Sequence, residues 1–316
     1  MTRVAAIDCG TNSIRLLIAD LEPGPHGAVL HDVVRQMRIV RLGQGVDATG
    51  SFDPQALERT YAAIDEYAAL IKDHGASKIR FVATSATRDA KNRDEFIAAV
   101  RTRLGVDPEV VSGDEEAALS FAGALSIAPP ASGSTVLVVD LGGGSTEFVL
   151  GGAMGPVAAR SMNMGCVRLT ERFWGQEMPT AELIAQARAE VNVVLDEAAK
   201  DIDFSAVDRL IGVAGTITTL TAAALGLTRY DSNKINGAEL SLEKLEESIT
   251  EILTMDRETR ASLGFMHPGR VDVIAAGALI YGCILQRVNQ ASGGTICTAT
   301  ASEHDILDGI ALGLGA

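Results

Sequence analysis

Basic charge and aromatic rings are what this 316-residue chain has least of. Lys and Arg total 27 against 41 Asp and Glu, a net charge of −14. Proteins that grip nucleic acid or anionic membranes do so through a basic face, so neither partner is expected. The same deficit means that a phosphate-bearing ligand would need local cations, a few arginines and a divalent metal. Aromatics are 4% of residues with a single tryptophan, Trp174, and no aromatic clamp for a nucleobase stands out. Four cysteines, Cys9, Cys166, Cys283 and Cys297, show no paired spacing. They are read as small buried hydrophobes of a reducing cytoplasm, neither a disulfide frame nor a zinc site. No charged leader precedes an apolar core, and the longest apolar run, residues 273–285, is too short to span a bilayer. A soluble, cytoplasmic protein is expected. Walker A, HExxH, GxSxG and paired CxxC patterns are missing, which removes the usual support for P-loop, zinc-protease and α/β-hydrolase chemistry. The five histidines are scattered and read as ordinary surface or packed residues.

What the chain does have is a short pattern written twice. VAAIDCGTNSIRLLIAD (4–20) and VLVVDLGGGSTEFVLGG (136–152) each run from an apolar stretch through an aspartate and a glycine-containing turn to a second apolar stretch. Asp8 aligns with Asp140, Gly10 with Gly142 and Ser13 with Ser145. Such a repeat predicts two homologous halves, each opening with a hairpin, and the 47% hydrophobic content suffices for two cores. In both hairpins the turn N–H groups can converge on an anion. Two such turns facing one another across a cleft point to phosphoanhydride chemistry.

In the first half, residues 28–41 suit a third strand. Asp53 caps a helix with Pro54 at its first position, a buried stripe of Leu57, Tyr61, Ile64, Ala68 and Ile71, and a stop at Gly75. Strand 78–84, helix 94–104, strand 109–111 and helix 114–125 complete a βββαβαβα order. Residues 128–134, rich in Pro, Ser and Gly, read as the linker. The second half restarts with strands at 136–140, 146–150 and 157–163. Helices are expected at 180–200, 216–225, 241–253 and 271–288, with strands near 210–214 and 295–298. A last helix, 303–314, is expected to cross back onto the first domain. The domains are therefore 1–125 plus 303–316, and 126–302. The doubled plan resembles the actin, sugar-kinase and chaperone ATPase superfamily, an α/β fold of duplicated actin-like, ribonuclease H-like domains whose ligand lies between the halves.

Asp140 and Glu147, seven residues apart across a tight turn, can surround one hydrated Mg²⁺, and Gly142, Gly143 and Gly144 are costly for a mere turn. The first hairpin carries Arg15 where the second carries Glu147, so one can offer phosphate a cation while the other offers a metal its ligand. In ATSATRDAKN (83–92), Arg88 can present a planar fork to phosphate oxygens. Taken alone, that stretch is an ordinary strand-to-helix loop. SGDEEA (112–117) sits at another strand-to-helix junction with Asp114 as the expected N-cap. Its carboxylates suit either a general base or a complement to the helix dipole. AGTITTL (214–220) offers a Gly-Thr turn to phosphate.

With these residues in hand, the chain resembles the exopolyphosphatase and guanosine pentaphosphate phosphohydrolase family. DCGTNSIRLLIAD, ATSATRDAKN, SGDEEA, DLGGGSTEFVLG, MGCVRLTERF, GVAGTITTL, RVDVIAAGALI and SEHDILDGIA look like its signature blocks, in its order. The sequence is similar to the short actinobacterial form, without the helical C-terminal extension of longer members. The resemblance implies hydrolysis of a terminal phosphoanhydride by water, with Glu116 as catalytic base and Asp140 and Glu147 holding Mg²⁺ or Mn²⁺. It implies phosphate contacts from Asn12, Ser13, Arg15, Arg88, Gly143, Gly144, Ser145, Thr146, Gly215 and Thr216. Whether Glu115 shares the role of Glu116 stays open. A homodimer is the family habit. AGTITTL has Ala214 where many relatives have a second glycine. The acidic surface and missing extension predict a preference for short inorganic polyphosphate. pppGpp is the alternative substrate; a non-hydrolysing polyphosphate or alarmone sensor and an actin-like ATPase are the competing classes.

Overall fold

An unbroken apolar run makes β1 (Thr2–Cys9) a central strand, buried on both faces from Val4 onward. The computed structural model describes residues 2–24, 27–126, 130–175 and 178–315, and divides into two units, Met1–Ser126 with Asp305–Ala316 and Ile127–His304. In the first unit β1 pairs antiparallel with β2 (Ser13–Gly24), and β2 with β3 (Gly27–Ile39). A one-turn helix α1 (Val46–Thr49) and the long α2 (Pro54–Asp73) lead to β4 (Lys78–Ala83), parallel to β1. Helices α3 (Ser85–Asp89) and α4 (Arg93–Leu104), strand β5 (Glu109–Val110) and helix α5 (Gly113–Leu125) follow. The sheet order is β3-β2-β1-β4-β5. One sheet face buries Ile7, Ile14, Leu16 and Phe81 with Ile64, Tyr67 and Phe96 from the helices. Full burial of each such side chain is worth about 1.5–3 kcal/mol.

The second unit repeats the plan. β6 (Val136–Leu141), β7 (Thr146–Gly152) and β8 (Gly155–Met162) form the antiparallel triple. Helices α6 (Cys166–Phe173) and α7 (Ala181–Ala198) precede β9 (Arg209–Val213), parallel to β6. Then come α8 (Ala214–Ala224), α9 (Ser232–Ile235), β10 (Glu239–Ser241), α10 (Leu242–Thr254), α11 (Arg257–Ser262), α12 (Ile274–Ala291) and β11 (Thr298–Ala301). The order β10-β11-β9-β6-β7-β8 is the first sheet's order with one short antiparallel strand added. The apolar run around residue 280 is α12, buried along nearly its whole length in this unit's core. Among the described residues no helix is long and apolar enough to cross a membrane. The last helix, α13 (Ile306–Leu312), packs in the first unit, placing Ile306, Leu307 and Ile310 against Val4, Leu17 and Val82.

Several local expectations are corrected. Tyr61 and Ala68 of α2 are only partly buried; Ala63 and Tyr67 take their place on the core face, and the Tyr67 hydroxyl donates to the Ile14 carbonyl at 3.0 Å. The N-cap of α5 is Ser112, whose Oγ accepts from the Glu115 N–H, and Asp114 sits in the first turn. ATSATRD is not simply a loop, since α3 forms within it. β11 starts at Thr298 and not at residue 295. α13 starts at Ile306 because Asp305 caps it, in a reciprocal box with Asp308. Of the expected linker, Ala128 and Pro129 lie outside the described residues.

Candidate active site

In the second unit the register sets Asp140 directly opposite Glu147 on β6 and β7, and beside Val213 on β9. Directly opposed residues share a sheet face with Cβ atoms about 5 Å apart, so the two carboxylates are neighbours. Both are buried, and Ser161 Oγ donates to Glu147 Oε1 at 2.7 Å. The turn between them is closed by Gly142 N–H on the Ser145 carbonyl at 3.0 Å. Its remaining carbonyls are taken by the start of α6: Gly142 O accepts from Cys166 N, Gly143 O from Val167 N and Arg168 N, and Gly144 O from Arg168 Nε at 2.8 Å. What the turn has left is the N–H groups of Gly143, Gly144 and Ser145, none with a backbone acceptor among the described residues. That is an anion-binding arrangement. Gly165 makes it possible, since a Cβ there would lie 2.3 Å from the Gly143 oxygen.

Beside this turn, β9 runs into α8 through Ala214, whose φ of 71° lies in the left-handed region. Glycine is the natural occupant of that conformation, which accounts for the second glycine at this position in the pattern AGTITTL departs from. The next residue, Gly215, lies under the Arg270 guanidinium: a Cβ would be 2.0 Å from Arg270 Nη2. Arg270 Nη1 donates to Thr219 Oγ1 at 3.2 Å. Asp140, Glu147, the glycine turn and the Gly215 turn thus gather at the carboxyl ends of β6 and β9, where open α/β sheets bind ligands.

The first unit builds the equivalent place with a different charge. Asp8 is opposite Arg15 across β1 and β2. Gly10 N–H closes the turn on Ser13 O at 2.9 Å, while Thr11 O and Asn12 O accept from Gly43, Val40 and Arg41. The Arg15 guanidinium bonds Asp8 Oδ2 through Nε (2.8 Å) and Nη2 (2.6 Å), and Asp305 through Nη1. One strand along, Arg88 Nη1 donates to Val111 O at 3.0 Å and to Glu116 Oε2 at 2.5 Å. Burial pushes the Glu116 carboxyl above its ordinary value against the pull of Arg88, and the Asp8 charge adds to the rise. Burial likewise raises Asp8, with Arg15 opposing.

The neighbouring glutamates separate cleanly. Glu115 is exposed and reaches Arg80 at 3.3 Å, whereas Glu116 is buried on Arg88. Other expected groups are spent inside the protein. The Thr146 hydroxyl donates to the Met164 carbonyl, and the Thr216 side chain is buried against Gly277 and the Cys166 thiol. Arg15 is engaged by two carboxylates, so phosphate would have to share it. Asn12 keeps a buried Oδ1 without a hydrogen-bond partner. Sequence reading assigned no role to Gly165, Arg270 or Asp305, although they lie within the quoted blocks MGCVRLTERF, RVDVIAAGALI and SEHDILDGIA.

Residues 17–313 match the Ppx/GppA phosphatase family. The chain belongs to that family. It is 48% identical to exopolyphosphatase 2 of Mycobacterium tuberculosis over 319 residues, covering 99% of each. The crystal structure of an exopolyphosphatase-like protein superimposes with a TM-score of 0.94 at 46% identity, covering 99% of this chain and 98% of the other. The Aquifex aeolicus PPX-GPPA enzyme follows at TM-score 0.79 and 30% identity, covering 99% of both chains. The fold is the duplicated actin-like α/β architecture, and the Mycobacterium relative is named an exopolyphosphatase, an enzyme that hydrolyses phosphoanhydrides.

Among the described residues no cluster of three His, Cys, Asp or Glu forms a complete metal cage. Two neighbouring carboxylates beside an anion-binding turn are nevertheless a donor set that fits Mg²⁺, which is held by one or two carboxylates and completed by water and substrate phosphates.

Proposed function

We propose that this protein is an exopolyphosphatase that releases terminal orthophosphate from inorganic polyphosphate. Glu116 takes a proton from a water whose oxygen forms a new bond to the terminal phosphorus. The bridging P–O bond breaks, and its electron pair leaves with the shortened chain. Arg88 holds Glu116 in place, and its charge keeps the carboxylate available as a base despite burial. In the second unit the N–H groups of Gly143, Gly144 and Ser145, with Thr146, Gly215 and Thr216, hold phosphate oxygens; in the first unit Asn12, Ser13 and Arg15 offer phosphate contacts. Asp140 and Glu147 would hold Mg²⁺ or Mn²⁺, which when bound neutralises charge on the phosphate oxygens. Little covalent chemistry falls to the protein, so catalysis is positioning and charge neutralisation. The observation that carries this reading is Glu116, a carboxyl at the head of α5 that is buried on Arg88 and raised above its ordinary value by that burial. The 48% full-length identity to a protein named exopolyphosphatase 2 supports it. Cytoplasmic residence, a homodimer and a preference for short chains belong to the same proposal.

One observation favours pppGpp as a second substrate. Tyr230 is 37% exposed, while its hydroxyl bonds Thr218 Oγ1 at 2.8 Å and Glu303 Oε1 at 2.5 Å. An anchored, partly exposed ring beside the turn that opens α8 offers a face on which a nucleobase can stack. The test is Mg²⁺-dependent phosphate release from tripolyphosphate, long polyphosphate and pppGpp by wild type, Glu116→Gln and Tyr230→Ala. Turnover that collapses in Glu116→Gln supports the hydrolase. A Tyr230→Ala loss confined to pppGpp supports the second substrate. Binding without turnover on any substrate would favour a sensor.

A further inference from the structure

We propose that Asp305 is a positioning residue for the proposed base: through Arg15 it fixes the Asp8 carboxylate beside Glu116. Its claim on turnover rests on the exopolyphosphatase reading; the electrostatic link does not. The chain of contacts runs through buried groups. Asp305 is 4% exposed and Asp8 5%. Arg15 lies between them, two of its nitrogens on Asp8 Oδ2 and the third on Asp305 Oδ2. Asp305 is itself held. Its Oδ1 accepts the Leu307 N–H at 3.0 Å, and its own N–H donates to Asp308 Oδ2 at 3.1 Å. Asp308, fully buried, is in turn gripped by Arg35 at 2.6 Å.

The backbone beneath is equally constrained. A Cβ on Gly123 of α5 would fall 1.8 Å from the Asp305 carbonyl oxygen, and one on Gly309 of α13 would fall 2.0 Å from the Leu119 carbonyl oxygen. The helix that starts with Glu116's turn and the helix that Asp305 caps therefore touch backbone to backbone. Moving one moves the other. An Asp whose job was capping alone would not need a partner 290 residues away in the chain.

The charges facing Glu116 are Arg88 from α3 and Asp8 from β1, with the Thr84 hydroxyl at the end of β4. Facing Asp8 are Arg15 from β2, Asp305, Glu116 and the Cys9 thiol. Removing the Asp305 charge takes one negative group away from Arg15, so the surroundings of Glu116 become more positive and its ionised form is favoured.

The test uses the full-length protein with Asp305→Asn, which keeps size and capping ability but not charge, and Asp305→Ser as a second uncharged cap should the first fold poorly. Glu116 titration is followed by carboxyl ¹³C NMR, assigned against Glu116→Gln, alongside kcat and KM on tripolyphosphate. The expected result is a Glu116 midpoint at lower pH in both variants, kcat down about tenfold with KM little changed, and partial rescue by Asp305→Glu. An unmoved midpoint overturns the proposal, whatever happens to melting temperature. A midpoint that moves in a wild-type background without turnover supports the link while removing the hydrolase reading.

Discussion

The two turns of this molecule share a backbone and differ in the residue set across the strand from the aspartate. In the first unit Asp8 faces Arg15, and in the second Asp140 faces Glu147. An opposite charge makes the first aspartate part of an internal ion-pair chain, with Asp305 on its far side. A like charge makes the second pair a place where a cation relieves repulsion, because like charges directly opposed are unfavourable on a sheet. One duplicated scaffold thus yields a fixed electrostatic frame in one copy and a metal-suited carboxylate pair in the other. The closing contacts match too: both turns are shut by the glycine N–H on the serine carbonyl, and both give their next carbonyls to a neighbouring segment.

The largest expected effect comes from the group the frame serves. Glu116→Gln should lower kcat by about 10²–10⁴-fold, the usual worth of a general base, measured as phosphate release under saturating tripolyphosphate. Next, Glu147→Arg imposes the first unit's charge pattern on the second. It should lower turnover by about 10²-fold or more at every Mg²⁺ concentration, with the fold retained by circular dichroism; undiminished turnover would break the comparison. The pH profile sharpens it. Glu116 acts only when ionised, and burial raises its pKa, so kcat/KM should fall as pH drops through a midpoint above the ordinary glutamate value. The linked stability has the opposite sense. A carboxyl raised in the folded state binds more protons there than in the unfolded chain, so stability falls as pH rises from the unfolded pKa to the folded one.

Smaller effects concern the scaffolding of the second turn. Gly165→Ala forces a methyl onto Gly143 and should cost about 1–3 kcal/mol, seen in denaturant unfolding, with phosphate affinity weakened as the turn is displaced. Ala214→Gly relieves a left-handed alanine and should stabilise by about 0.5 kcal/mol after the entropy cost of glycine. A destabilised variant would show that the Ala214 methyl makes a contact worth more than the strain.

The repeat, the hairpins and the βββαβαβα order were legible because apolar runs on either side of an aspartate and a glycine turn leave the same mark in both halves. So were the positions of Asp140, Glu147 and Glu116, which fall at strand ends and a helix start. What sequence could not show was where polar atoms are spent. Thr146 and Thr216 read as phosphate ligands, and their hydroxyls turn out to meet the Met164 carbonyl and the Cys166 thiol. Asp114 read as a cap, yet Ser112 has the right backbone, extended at φ −66° and ψ 164°. The Asp305 contact joins residues 290 apart, and no local pattern records such a pairing. The rise in Glu116 comes chiefly from burial, which the run SGDEEA, open to either a base or a dipole complement, does not record.

The most direct test is calorimetric titration of Mg²⁺ into wild type, Glu147→Gln and Glu116→Gln, each in the presence of a non-hydrolysable tripolyphosphate analogue. The division of labour between the two turns requires that Glu147→Gln lose most of its Mg²⁺ affinity while Glu116→Gln keeps it. Equal affinity in wild type and Glu147→Gln, or an equal loss in both variants, would contradict it.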